Sequence, residues 1–89
     1  MADLHLHVKG EYFQQIKAGT KPDEFRLYEK WAKRIEGKTF DRIFIKWAYP
    51  RNSDTSRIIV RKWQGYEVRD IVHPHFGNEP VKVFAIRVN

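Results

Sequence analysis

The stretch YFQQIKAGTKPDEFR, residues 12–26, contains the end of a helix, an enforced break and the start of a strand. Phe13 and Ile16 are three residues apart and share one face of a helix that we expect over residues 11–18. Gly19 follows at the position where a left-handed glycine commonly closes a helix. Pro22 then prevents any helical continuation. The residues after it alternate polar and apolar, which predicts a strand.

The rest of the chain extends this pattern into strands and one more helix. Leu4, Leu6 and Val8 alternate with polar residues, as in a half-buried strand. The predicted strands are residues 4–8, 24–28, 40–47, 57–63, 66–72 and 81–88, and the second helix is 29–36. We expect a loop at residues 73–80, because two prolines and a glycine break regular structure. We expect one α+β domain over residues 1–89, a small mixed β-barrel of five to six strands with two short helices, since closure protects strand edges.

Composition restricts the class of protein. A chain of 89 residues is the size of one domain. It contains no cysteine, which excludes disulfides and thiolate metal sites and favours the cytoplasm. We expect no signal peptide, no membrane span and no cofactor. The net charge of +6 favours an anionic partner such as nucleic acid, and the alternative is a charge that serves solubility alone. The oligomeric state is not determined by the sequence.

Three charged residues lie close together in the stretch that follows the first helix. Glu24 and Arg26 are two residues apart, so their side chains share one face of a strand, and Lys21 precedes them in a loop. Charges gathered in this way are typical of functional sites. The alternative is a structural ion pair between Glu24 and Arg26, with Lys21 in solvent.

This stretch resembles the ASCH domain family of the PUA-like superfamily, whose motif runs Gly-x-Lys-x-x-Glu-x-Arg after a short helix. Gly19, Lys21, Glu24 and Arg26 match its four fixed positions. Further features of the resemblance are Tyr12, Phe13 and Ile16 before the motif, Asp41, Ile43 and Ile45 in a later strand, and the turn at Tyr49 and Pro50.

The resemblance implies a β-barrel with a cleft, a link to RNA and, in some members, ribonuclease activity or hydrolysis of N4-acetylcytidine nucleosides. In the amidohydrolases the residue at the position of Lys21 is the central catalytic group. Those members carry threonine at the position of Glu24 and draw a carboxylate from a longer helical insert.

Chemistry suggests a role for each charged residue, which makes Lys21, Glu24 and Arg26 the candidate catalytic residues. Lys21 can bind phosphate or stabilise an oxyanion, and the nearby carboxylate favours its charged form over a role as a base. Glu24 can act as a general base or accept hydrogen bonds from a nucleobase or ribose. Arg26 presents a planar donor fork suited to phosphate or a base edge.

The four histidines form two His-x-His pairs. His5 and His7 share one face of the first strand, whereas His73 and His75 lie in the loop before the last strand. Without cysteine or a well-spaced carboxylate we expect no metal site. His73 and His75 are lesser catalytic candidates, because an imidazole can supply the acid or base for RNA cleavage without a metal.

Basic residues alternate with aromatic ones in the second half of the chain, a composition suited to phosphates and unpaired bases. Trp47 and Trp63 are more typical of a core, so Tyr49, beside Pro50, is the better candidate for stacking. The predicted nucleic-acid contacts are Lys21, Arg26, Lys46, Tyr49, Arg51, Arg57, Arg61 and Lys62.

Three functions are consistent with these observations. The first is a module that binds single-stranded or looped RNA, or a nucleotide, in a basic cleft, with or without metal-independent ribonuclease activity. The second is an amidohydrolase that acts on an acylated nucleoside. The third is a non-catalytic module that docks onto an acidic protein. Sensitivity of RNA binding to salt separates the first from the third, because phosphate contacts release counterions.

Overall fold

A computed structural model describes residues 2–51, 53–74 and 76–89. Two α-helices and six strands lie in the order β1 (Asp3–Val8), α1 (Gly10–Ala18), β2 (Asp23–Leu27), α2 (Tyr28–Ile35), β3 (Arg42–Trp47), β4 (Ile58–Lys62), β5 (Tyr66–Ile71) and β6 (Val81–Arg87), with a short 3₁₀ turn at Thr55–Arg57. The predicted α+β class, six strands and two short helices are therefore confirmed.

The strands form two sheets of three. The first has the order β1-β3-β4 and is mixed, because β1 and β3 run parallel while β3 and β4 run antiparallel. The second, β2-β6-β5, is antiparallel throughout. Within the described residues no strand pairing joins the two sheets, so closure into a barrel is not confirmed.

The core lies between the two sheets. Leu6, Ile43 and Ile45 of the first sheet are fully buried, as are Phe84 and Ile86 of the second. The helices contribute their apolar faces, with Phe13 and Ile16 from α1 and Ile35 from α2. Burial of these side chains supplies the main favourable term in folding. The predicted inward positions of β1, Leu4, Leu6 and Val8, are confirmed.

Glycine fixes the geometry of α1 at both ends. Gly19 caps the helix in the left-handed conformation that the sequence predicted, with a φ of 81°, and its N–H donates to the carbonyl of Ile16. At the other end, a Cβ on Gly10 would lie 2.8 Å from Nε1 of Trp47. The absence of a side chain at Gly10 thus lets α1 pack closely on the end of β3.

No helix in the described part of the chain is both long and apolar enough to cross a lipid bilayer.

Candidate functional site

A cleft of about 460 Å³ opens where the edge strand of one sheet approaches the edge strand of the other, at β1 and β2. Its size is within the range of pockets that hold small molecules. Residues from β1, α1, β2, α2 and four connecting segments line it: His7, Val8, Lys9, Tyr12, Lys21, Glu24, Phe25, Arg26, Leu27, Lys30, Trp31, Ala48, Tyr49, His73 and Phe76.

A buried carboxylate forms the floor of this cleft. Glu24 is only 5% exposed, and its two oxygens face different cations. Oε2 accepts a hydrogen bond of 2.9 Å from Nη2 of Arg26, and Oε1 lies 3.8 Å from Nζ of Lys21. A buried charge requires such compensation, because removal from water is costly. The structure therefore brings together the three predicted catalytic candidates.

Arg26 also connects the two sheets. Its Nη2 donates a 2.7 Å hydrogen bond to the main-chain carbonyl of His7 on β1, in addition to its bond to Glu24. The guanidinium lies 5.0 Å from the centre of the Trp31 ring on α2. The Nε–H of Arg26 is buried and has no hydrogen-bond acceptor among the described residues. Arg26 thus has a large structural role, since it joins β2 to β1 and to α2.

Lys21 is enclosed by aromatic rings. Its Nζ lies 4.9 Å from the centre of the Tyr12 ring and 5.0 Å from that of Phe25. Contacts of this kind stabilise the ammonium by cation–π attraction. Burial raises the pKa of the Tyr12 phenol, and the carboxylates of Glu11 and Glu24 raise it further. Tyr12 therefore remains a neutral hydroxyl at physiological pH.

His7 and Tyr49 form the opposite wall of the cleft. Their rings stack at 4.3 Å with an interplanar angle of 27°. Nδ1 of His7 lies 2.6 Å from the carbonyl oxygen of Ala48, which only accepts, so Nδ1 carries the proton. Ala48 has a φ of 55° and its N–H donates to the carbonyl of Val8. These bonds hold the turn after β3, and with it the 84% exposed Tyr49, beside the cleft.

His73 is the catalytic candidate from the last loop that reaches the cleft. Its ring is 6.3 Å from Tyr12 and 6.1 Å from Phe25, the two rings that also flank Lys21. His73 and Lys21 therefore border the same aromatic pair. His75, the other candidate, lies outside the described residues.

The lining combines net positive charge with aromatic walls. Four cations, Lys9, Lys21, Arg26 and Lys30, oppose the single carboxylate of Glu24, which gives a net charge of +3 with neutral histidines. Seven rings belong to the same lining, those of His7, Tyr12, Phe25, Trp31, Tyr49, His73 and Phe76. Across residues 2–51, 53–74 and 76–89 no group of three or more His, Asp and Glu residues could hold a metal ion.

The predicted nucleic-acid residues do not all meet at this cleft. Lys21, Arg26 and Tyr49 line it, whereas Lys46, Arg51, Arg57, Arg61 and Lys62 are not part of the lining. Arg57 lies over the ring of Trp47 at 4.9 Å and pairs with Asp54. Arg61 is directly opposite the buried Ile43, on the side of the sheet away from Lys46 and Lys62. The cleft therefore brings together three of the eight predicted contacts, and a nucleic-acid role for all eight stays a prediction.

Several lining residues were missed by the sequence analysis. The sequence analysis gave Trp31 no role in the site and named Tyr12 only as a residue before the motif. Phe76 and Lys30 carried no recognisable signal. The position of Tyr12, one residue before the buried Phe13, was the only hint that its ring lies beside the core and close to Lys21.

Comparisons with protein-family models, with curated proteins and with solved structures find no match for this chain.

Proposed function

We propose that the chain binds RNA or a nucleotide in the cleft between β1 and β2. The observation that carries this proposal is the placement of the buried Glu24 carboxylate between Lys21 and Arg26, on the floor of an aromatic-lined cleft. Aromatic side chains stack on the flat faces of a nucleobase. The cationic donors Lys21 and Arg26, beside the acceptor Glu24, can form hydrogen bonds with the edge of the same base. The ASCH-like assignment, the closed barrel that it implies and a cytoplasmic location belong to the same proposal.

Glu24 is better suited to accept hydrogen bonds than to remove a proton. Both of its oxygens already face cations at short distance, an arrangement that suits a hydrogen-bond acceptor. An ionised carboxylate is a strong acceptor for the exocyclic amino group of a base such as cytosine. Lys21, at 3.8 Å from Glu24, would donate to the neighbouring ring nitrogen or carbonyl of the same base.

The positive charge of the lining supports a role for phosphate. Lys9 and Lys30 are exposed residues at the border of the cleft, so each can meet a phosphate without full desolvation. Phosphate contacts of this kind make affinity fall as salt rises, with a slope of about 0.7 per contact for single strands.

The first experiment measures fluorescence anisotropy of labelled single-stranded oligoribonucleotides at two salt concentrations with EDTA present. Lys21→Met removes the charge but keeps most of the side chain, and Lys33→Met removes a charge from the exposed face of α2, away from the cleft. A charge-assisted hydrogen bond contributes about 1.5–3 kcal/mol, so Lys21→Met should weaken binding at least about tenfold. Lys33→Met should change it little.

A panel of oligomers tests the orientation of the base. Oligomers of C or A, which carry an exocyclic amino group, should bind more tightly than oligomers of U. Equal loss of affinity in the two lysine variants, or binding that ignores salt, would remove the cleft from the proposal and leave a protein partner as the better candidate.

A second function is favoured by the position of His73. An imidazole and an ammonium that flank the same two rings could move a proton and stabilise charge in cleavage of RNA, where the 2′-hydroxyl is the nucleophile. Gel analysis of the same oligomers after incubation with EDTA tests it. Cleavage that survives EDTA and is lost in both His73→Gln and Lys21→Met would support the ribonuclease. Intact RNA at full binding would leave a binding module, and release of acetate from acetylated cytidine would instead indicate the amidohydrolase.

A further inference from the structure

The sheet β1-β3-β4 has a second face, on the side away from the core. Strand register places nine residues there in three rows: Asp3, Arg42 and Lys62 in the first, His5, Phe44 and Val60 in the second, and His7, Lys46 and Ile58 in the third. We call these nine residues the outer face. Their neighbours along each strand, among them Leu6, Ile45 and Ile59, point into the core. Neither α1 nor α2 covers the outer face, because both place their buried residues in that core.

The middle row of the outer face is aromatic and apolar. The rings of His5 and Phe44 stack at 5.0 Å with an interplanar angle of 27°. Val60, on the other side of Phe44, is 45% exposed. The row therefore presents an aromatic and apolar surface that is partly open to water.

The outer rows carry positive charge. Arg42 and Lys62 lie at one end and Lys46 at the other, and the guanidinium of Arg42 is 5.0 Å from the centre of the Phe44 ring. Asp3 is the single acidic residue among the nine, and its carboxylate pairs with Arg42 at 3.1 Å. Three cations against one carboxylate give a net charge of +2 with neutral histidines. The ligand that matches an aromatic centre between cations is an unpaired base between phosphates.

The outer face is continuous with the cleft. His7 belongs to both, because it occupies the third row and also lines the cleft, where its ring stacks on Tyr49. The two stacked pairs, His7 with Tyr49 and His5 with Phe44, are therefore two residues apart along β1. At about 3.3 Å per residue this separation is about 6.6 Å.

We propose that the outer face of β1-β3-β4 is a second binding surface for single-stranded RNA. A base stacks on Phe44 and His5, and the flanking phosphates contact Arg42, Lys46 and Lys62. A strand held in the cleft continues past Tyr49 and His7 onto this face. The continuity, though not the surface itself, rests on the function proposed for the cleft.

The test compares a labelled dinucleotide with a labelled octanucleotide of the same base, by anisotropy at moderate salt. Phe44→Leu keeps apolar bulk but removes the ring, and Phe44→Tyr keeps the ring. Stacking on one aromatic side chain corresponds to about a tenfold change in affinity. We expect Phe44→Leu to lower the affinity for the octanucleotide about tenfold and to leave the affinity for the dinucleotide unchanged. Phe44→Tyr should bind the octanucleotide as tightly as the unaltered protein. Lys62→Ala should lower the salt slope for the octanucleotide by about 0.7.

The outcomes separate the two proposals. Loss of binding in Lys21→Met with no effect of Phe44→Leu on the octanucleotide would overturn the outer face and keep the cleft. If Phe44→Leu weakens binding of the octanucleotide and Lys21→Met does not, the proposal for the outer face stands and the proposal for the cleft is wrong. If Phe44→Leu instead dissociates a dimer in sedimentation experiments and leaves RNA affinity unchanged, the face joins two copies of the chain and the RNA proposal for it is wrong.

Discussion

Substitution of Glu24 by glutamine should destabilise the fold strongly, although the side chain keeps its size and shape. The new amide oxygen would still accept a hydrogen bond from Arg26, but the negative charge that compensates Lys21 and Arg26 would be lost. Removal of one partner from a fully buried ion pair costs about 3–5 kcal/mol. The Lys21 and Arg26 side chains keep 11% and 17% of their exposure, so solvent offsets part of this cost. We expect a loss of about 2–3 kcal/mol.

Chemical and thermal denaturation measure this effect. For a domain of about 60–100 residues, each kcal/mol corresponds to about 4–8 °C in Tm, so Glu24→Gln should lower Tm by about 8–24 °C. A double-mutant cycle with Arg26→Met isolates the pair itself, and the coupling should fall within the range of about 0.5–3 kcal/mol that is typical of residues in one network. The slope of the urea transition should not change, since the surface exposed on unfolding is the same.

The chain contains a matched control for this experiment. Glu67 and Arg69 are also a Glu-x-Arg pair on one strand, with Nη2 and Oε2 2.7 Å apart. The Glu67 side chain is 69% exposed, whereas that of Glu24 is 7% exposed. Exposed pairs contribute little, so Glu67→Gln should leave the unfolding midpoint nearly unchanged. If Glu24→Gln is tolerated as well as Glu67→Gln, burial does not decide the energetics and our account of the cleft floor is wrong.

Three further predictions concern α1 and the outer face. Gly10→Ala should lower the free energy of unfolding by about 1–3 kcal/mol, because the new methyl group overlaps the Trp47 ring, and an unchanged urea midpoint would contradict the close packing. Gly19→Ala should cost about 1 kcal/mol through its φ of 81° alone, since open space surrounds the position, and a stabilised variant would argue against the left-handed cap. Burial and then the charge of Lys46 lower the pKa of His5, so its NMR titration midpoint should lie below 6.5 and rise in Lys46→Ala. Because the unfolded chain binds that proton first, stability should decrease as the pH falls below about 6.5, and a midpoint above about 6.5 would reverse this sign.

The local elements of this protein are readable from its sequence. Alternation in residues 4–8 and 40–47 identified β1 and β3, and the cap at Gly19 and the break at Pro22 located the end of α1. The i, i+2 spacing of Glu24 and Arg26 placed their side chains on one face of β2. These features depend on neighbours in the chain, which is why spacing and residue type suffice to predict them.

The partners of these elements were decided by tertiary structure. Nothing local to β1 or β2 indicates that their edges approach each other, or that Arg26 donates to the carbonyl of His7, 19 residues away in the chain. The same long-range packing adds the Trp31 and Phe76 rings to the cleft. Strand order and sheet contact depend on how the apolar faces of distant segments fill a common core. The periodicity of one segment identifies its own apolar face, but not the segment against which that face packs.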